Sequence, residues 1–100
     1  MNETANHSVL TACIAELDAL RYTPAGVPAL NLKLEHASSV TEAGQTRQIK
    51  AVVKAVALGA MAERLARQAT GSVWKFSGFL ATPRNGKYVV FHIQEFLQDQ

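Results

Sequence analysis

The sequence predicts a small all-β domain of five antiparallel strands, with one short helix between the third and fourth strands. Three observations support this prediction. Apolar and polar residues alternate with a period of two over much of the chain. Glycine, proline and asparagine separate the alternating segments, and one stretch of strong helix formers interrupts them. A length of 100 residues corresponds to one domain, which we expect to span residues 1–100 with residues 1–6 frayed.

The first two strands are predicted on either side of a tight turn. Residues 7–19 are rich in strand-compatible side chains. Pro24 and Gly26 then mark the turn, because proline presets one φ angle and glycine accepts a positive φ without steric penalty. Beyond the turn, strict alternation predicts a strand over residues 27–37 with one buried and one exposed face. The apolar members of this strand are Leu30, Leu32 and Leu34.

A third strand is predicted over residues 47–58. The segment before it, residues 38–46, is polar and contains Gly44, so we expect a loop there. Alternate positions of the third strand are uniformly apolar and are expected to face the core, whereas the others include two lysines and are expected to face outward. The core-facing set is Ile49, Ala51, Val53, Ala55 and Ala57, and the outward set is Gln48, Lys50, Val52 and Lys54.

A helix is predicted over residues 60–69, between two glycines. Alanine, methionine, leucine, glutamate and arginine, which favour helices, fill this stretch. Met61 and Leu65 lie four residues apart and therefore on one face of the helix. Gly59 breaks the preceding strand, and Gly71 ends the helix.

Residues 72–82 and 88–97 are predicted as the last two strands. Gly78 within the first of them indicates a bend or a close approach of another backbone. Asn85-Gly86 between the strands is a strong hairpin signal. A helix between the third and fourth strands of a five-stranded antiparallel set is the layout of the OB-fold barrel, in which the helix closes one end.

The charges are distributed unevenly along the chain. The formal net charge is only +2, but residues 21–87 contain all ten lysines and arginines against three acids, a net charge of +7. Residues 1–18 contain three acids and no cation, and residues 95–100 contain two acids and no cation. A basic middle between acidic ends suggests a surface that binds a polyanion. Ordinary solvated lysines and arginines are the alternative.

The termini and the single cysteine bear on the cellular compartment. Cys13 has no partner for an internal disulfide, which fits a reducing compartment. No apolar run reaches the roughly 18–20 residues that cross a bilayer, and the N-terminal residues do not resemble a signal peptide. We therefore expect a cytoplasmic protein that does not contact the membrane.

The sequence contains no recognisable catalytic or metal-binding motif. His7, His36 and His92 are far apart and no cysteine pair accompanies them. Glu35 and His36 are the nearest approach to a catalytic pair, but neighbours on a strand point to opposite faces. We therefore expect no metal, no cofactor and no enzyme activity.

Four short stretches, in order over nearly the whole chain, together resemble one known family. They are Pro24-Ala-Gly-Val-Pro28, Leu34-Glu-His36, Glu42-Ala-Gly44 with Arg47-Gln48, and Gly78-Phe-Leu80 with Asn85-Gly86 and the strand that reaches His92. On these residues the chain resembles the bacterial primosomal replication protein N (PriB) family. The resemblance implies a homodimer of OB folds that binds single-stranded DNA in the restart of stalled replication forks. There it would link the restart helicase, the DNA and other primosome proteins.

The family's DNA contacts carry over to this chain in part. The matching residues are Arg21, Arg47, Arg84 and, approximately, Lys87. Two positions depart from the family: Lys50 stands where some members have a tryptophan, and Ala37 stands where a cation is found. These departures suggest weaker DNA binding or a shifted footprint. They also leave open a protein-interaction adaptor with weak or lost DNA binding.

The predicted strands add further candidate contacts, because single strands are bound by a basic groove together with aromatic faces. Lys33, Lys50 and Lys54 point outward and are expected to form one cationic patch beside Arg47. Solvated lysines that prevent edge-to-edge aggregation are the alternative. Phe79 and Tyr88 also point outward and are the stacking candidates, unless they lie in a dimer interface. Trp74 is expected in the core.

An RNA-binding OB module is a third possibility for the function of the whole chain.

Overall fold

The structure is a computed structural model that describes residues 4–98, so the expectation of fraying at residues 1–3 lies outside the described part. The chain forms a β-barrel with one helix against it. Its elements are β1 (Ser8–Leu17), β2 (Arg21–Tyr22), β3 (Pro28–Glu42), β4 (Gln45–Leu58), α1 (Ala60–Ala66), β5 (Val73–Ala81) and β6 (Val90–Leu97). The predicted all-β OB-fold barrel with a helix between its third and fourth long strands is confirmed.

Five long strands close the barrel in the order β1-β5-β6-β4-β3, because β1 pairs with both β5 and β3. One of these pairings is parallel: β4 meets β6 at Ala55 opposite Phe91 and at Val56 opposite His92. The remaining pairings are antiparallel. A ring with an odd number of strands cannot alternate direction all the way round. The predicted antiparallel set therefore closes with one parallel pair.

The expectation of a loop over residues 38–46 is wrong. β3 and β4 continue as a ladder to Glu42 opposite Gln45 and are joined only by Ala43 and Gly44. Both of these residues have positive φ, 53° and 78°, as a tight two-residue hairpin turn requires. Every residue from 39 to 48 is exposed, so neither face of the ladder has an apolar repeat to reveal it. We call residues 38–49 the arm.

The predicted turn between the first two long strands is confirmed, and it includes the short strand β2 that sequence analysis missed. Arg21 pairs with Ala29, and Tyr22 pairs with Pro28. Within the turn, the Gly26 amide donates to the Thr23 carbonyl at 2.8 Å, and Gly26 has a φ of 83°. Two residues are too few for a periodic signal, so only the pairing reveals this strand.

The core lies inside the barrel and under the helix. Its largest fully buried side chains are Ile14, Leu30, Leu34, Leu65, Phe76 and Phe91. Leu65 is fully buried, and Met61 packs against the core from the same helix, as expected for a helix that closes the barrel. Trp74 also packs on the core, with its ring edge-on to Phe96 at 5.0 Å between centroids. At Gly78 an added Cβ would collide with the His92 carbonyl, which explains the glycine inside β5.

Candidate nucleic-acid interface

A groove of about 690 Å³ runs over the outer surface of the barrel. Its floor is formed by β3, β4 and β6, and its rim by the end of β1, the segment that leads into β2, and Pro83 after β5. We call it the outer groove. In OB folds, oligonucleotides bind the face of the second and third barrel strands between the two loops that border it. Here those strands are β3 and β4, so the outer groove lies on that face.

Three cations converge in the outer groove from different elements: Arg21, Lys33 and Lys54. Lys33 on β3 lies directly opposite Lys54 on β4. Opposed residues of an antiparallel pair share one face at close range, and like charges there repel. A bound polyanion would relieve this repulsion. The predicted outward parity of both lysines is confirmed.

Polar contacts hold two of these cations in place. The Arg21 Nη2 donates to Asn31 Oδ1 at 3.0 Å across the β2–β3 pair. Lys33 Nζ lies 3.6 Å from Glu16 Oε2, with both side chains about half exposed. An exposed pair of this kind contributes little, about 0–1 kcal/mol, so a phosphate can displace Glu16. Glu16 and Asp18 also line the groove and partly offset its positive charge.

The structure separates Arg47 from the outward lysines. Arg47 pairs with Val40 in the register and has the parity of Ile49, whereas Lys50 and Lys54 have the opposite parity. Its guanidinium forms an ion pair with Glu42 across the arm. The expectation that Lys33, Lys50 and Lys54 form a patch beside Arg47 is therefore wrong for Arg47, because a shift of an odd number of residues changes the face of a strand.

Lys50 has the same outward parity as Lys54 but lies farther along the hairpin. It is exposed opposite Ala37. Lys50 is not among the side chains that line the outer groove. It continues the cationic surface toward the arm.

The loop between β5 and β6, residues 82–89, borders the outer groove through Pro83. The Gly86 amide donates to the Pro83 carbonyl at 2.9 Å and closes a turn whose central residues are Arg84 and Asn85. Arg84, Lys87 and Tyr88 are all exposed on this loop, and Tyr88 is 81% exposed. The predicted strand over residues 88–97 begins only at Val90, so Tyr88 belongs to the loop.

The aromatic residue that lines the outer groove is His92, which was not among the DNA contacts predicted from the sequence. Phe79 on β5 lies opposite His92 on β6, and the two rings stack at 4.7 Å between centroids with 13° between their planes. His92 lines the groove, and Phe79 lies behind it. The sequence signal was present: His92 shares the outward parity of Val90 on the last strand.

His36 has a structural position in which both ring nitrogens are engaged. Nδ1 donates to the Thr11 carbonyl at 2.7 Å, and Nε2 lies 2.8 Å from Ser38 Oγ. The carbonyl can only accept, so Nδ1 carries a proton. Glu35 is exposed on the other face of β3. Across residues 4–98, no three metal-ligating side chains lie close enough to share an ion.

The fold is an OB barrel of the type found in single-strand binding proteins. Residues 6–95 match the family described as "another single-strand binding protein family". A solved deletion mutant of the single-stranded DNA binding protein from Thermus aquaticus superposes with a TM-score of 0.75 at 23% identity, over 94% of this chain and 51% of that one. At this identity the likeness concerns the fold.

More similar relatives narrow the class. The replication restart protein PriB of Bordetella pertussis is 44% identical over 86% of this chain and 81% of its own length. That of Nitrosomonas europaea is 34% identical over 90% and 84%. The PriB structure from Ralstonia solanacearum has a TM-score of 0.87 at 38% identity, covering 97% of this chain and all of that one. The chain therefore belongs to the PriB family of replication restart proteins, as its sequence motifs indicated.

The names of the family and of these relatives describe single-strand binding and replication restart, and none describes a catalysed reaction. Within residues 4–98, no helix has the length and apolar character needed to cross a membrane.

Proposed function

We propose that this protein binds single-stranded DNA in the outer groove and acts as an accessory protein of the replication restart primosome. The observation that carries the proposal is the convergence of Arg21, Lys33 and Lys54 on the face that OB folds use for oligonucleotides. The two lysines oppose each other directly. Membership of the PriB family gives this groove its biological setting. We expect the protein in the cytoplasm, where the bacterial chromosome lies.

The footprint would extend beyond the groove in two directions. Arg84 and Lys87 on the β5–β6 loop are exposed beside one rim. Lys50 lies on the same face of the hairpin as Lys54. Tyr88 is exposed enough to stack on a base at the loop. Arg47 lies on the opposite face of the arm, so it would meet a strand only where that strand passes around the arm.

The direct test removes the opposed lysines. Lys33→Ala with Lys54→Ala should weaken binding of a labelled oligo-dT several-fold, measured by fluorescence anisotropy. The slope of log affinity against log salt should fall by roughly 1.4, at about 0.7 for each lost phosphate contact to a single strand. The two side chains are partly or fully exposed, so the melting temperature of the variant should equal that of the wild-type protein.

The matched control is Arg64→Gln with Arg67→Gln, which removes the same charge from exposed positions outside the groove. Equal loss of affinity in both double variants would mean that net charge alone governs binding. An unchanged affinity in the groove variant would refute the proposed site. Duplex DNA of the same length should compete poorly.

The homodimer is part of the same proposal. The outer face of β1, β5 and β6 exposes three apolar side chains, Val9, Val73 and Leu97, each more than half exposed. The strand register puts them on one face: Val9 lies opposite Ser77, and Leu97 opposite Lys75. An apolar patch of this kind is a typical protein-interaction surface. Sedimentation velocity should show a dimer that Val9→Asp with Val73→Asp converts to a monomer, and a monomeric wild-type protein would reject the dimer.

A second candidate function is an adaptor that binds the restart helicase and other primosome proteins with little DNA binding. Lys50 in place of an aromatic residue favours it, because a lysine offers no stacking surface. Pull-down of the restart helicase by the Lys33→Ala, Lys54→Ala variant separates the candidates. The adaptor would be favoured if the variant still captures the helicase and the wild-type protein binds oligo-dT poorly even at low salt.

The RNA-binding alternative is tested by competition between oligo-dT and an RNA oligonucleotide of equal length.

A further inference from the structure

The outer groove has cations at its rim and floor, but the stacking candidates drawn from the sequence lie elsewhere. Tyr88 is on the bordering loop, and Phe79 is covered on one face by the ring of His92. His92 is the aromatic ring that lines the groove. Because single-strand binding in OB folds combines cations with flat rings, His92 occupies the position where a base would stack.

The strand register identifies the neighbours that position the imidazole of His92. Phe79 on β5 and Val56 on β4 are the cross-strand partners of His92, on either side of β6. Phe79 covers one ring face at 4.7 Å with nearly parallel planes. Val56 lies on the other side of the ring and lines the groove together with Lys54. Phe79 thus holds the imidazole in place, and the half-buried ring leaves part of its surface open to the groove.

The charges around this ring are of both signs. Arg21 from β2, Lys33 from β3 and Lys54 from β4 supply positive charge, and Glu16 and Asp18 at the end of β1 supply negative charge. Phe79 on β5 is neutral. A protonated imidazole would add a further cation beside the phosphates, and a cation in contact with an aromatic face is stabilised.

We propose that His92, backed by Phe79, is the base-stacking residue of the outer groove, and that its protonation makes single-strand binding stronger as the pH falls. This inference rests on the proposed function and names the residue and the condition that tune it. Histidine is the side chain that ordinarily changes charge between pH 5 and 8. Binding of a polyanion favours its protonated form, so the affinity and the protonation are linked.

The test measures oligo-dT binding by fluorescence anisotropy at constant ionic strength from pH 8.0 to 5.5. Wild-type affinity should rise by about fivefold over this range. His92→Leu should weaken binding by about fivefold or more at every pH, because the stacking surface is lost. His92→Phe should stay within about twofold of wild type at pH 8 and lose the rise toward low pH, since its ring stacks but cannot titrate.

His7→Gln is the matched control, because His7 is exposed and does not line the groove, and it should keep the wild-type pH profile. The remaining histidine, His36, already uses both ring nitrogens. Thermal melting of each variant shows whether the fold is intact. If His92→Leu does not fold, the ring-proton NMR signal of His92 in the wild-type protein should shift when oligo-dT is added.

Three results, each obtained with wild-type protein that binds oligo-dT, would overturn the inference on His92 alone. The first is a folded His92→Leu variant with the affinity of wild type. The second is a His92 NMR signal that does not shift in the bound state. The third is a His92→Phe variant that keeps the full rise in affinity at low pH. Failure of wild-type protein to bind oligo-dT at low salt at any pH would instead overturn the proposed function, and the inference with it.

Discussion

The two halves of the β3–β4 hairpin are stabilised in different ways, although they belong to the same two strands. In the barrel half, Leu30 and Leu34 are fully buried, and the inward face of the ladder is apolar from Leu30 to Leu34 and from Val53 to Ala57. In the arm, every residue from 39 to 48 is exposed. Backbone pairing continues there with few side-chain contacts, such as the 2.9 Å hydrogen bond from Gln48 to Ser39. Burial thus sets the stability of the barrel half, whereas backbone pairing and a few exposed side-chain contacts maintain the arm.

The largest effect should come from breaking the barrel side of this comparison. Phe76 is fully buried and stacks against Phe96 at 6.5 Å between ring centroids. Phe76→Ala should lower the free energy of unfolding by about 3–5 kcal/mol, because it removes buried apolar surface and leaves a cavity. Urea denaturation measures it, with the half-buried Phe79→Ala as the milder control. A loss below that of Phe79→Ala would contradict this account of the core.

An intermediate effect is expected where the barrel passes into the arm. His36 joins β3 to the Thr11 carbonyl on β1 and to Ser38 at the base of the arm. His36→Ala should cost about 1–3 kcal/mol of unfolding free energy, since two partly buried hydrogen bonds are lost. Ser38→Ala removes one of them and should cost less. Amide hydrogen exchange in His36→Ala should be faster at the base of the arm than in the wild-type protein. Equal protection in the variant and the wild type would contradict the role of His36 in anchoring the arm.

The smallest effect should follow from removing the arm itself. Replacing residues 39–48 with Asn-Gly places a two-residue turn between Ser38 and Ile49, which are paired in the ladder. Unfolding free energy should change by less than about 1 kcal/mol, because only exposed contacts are lost. Oligo-dT binding in the outer groove should persist, because Lys33, Lys54 and His92 remain. A large drop in melting temperature would show that the arm supports the barrel.

Much of the barrel could be predicted because a strand with one buried face shows apolar residues at every second position of the sequence. The parity of Leu30 to Leu34 and of Ala55 and Ala57 is observed as predicted, and so are the turn at Gly26 and the helix after Gly59. The helix ends at Ala66 rather than residue 69, where the Arg67 amide bonds the Arg64 carbonyl in a tighter turn. The arm and β2 could not be found, because an exposed ladder and a two-residue strand have no apolar repeat.

The sequence by itself determined the strand faces, the turn residues, the outward parity of Lys33 and Lys54, and the family, because each depends on local chemistry or on the order of residues along the chain. Only the tertiary structure decided which residues meet. It brought Arg21 from β2 and His92 from β6 to the same groove, placed Phe79 behind His92 and separated Arg47 from the lysines. These outcomes depend on how the barrel closes, since closure pairs strands that are far apart in sequence and a periodic pattern carries no information about that pairing.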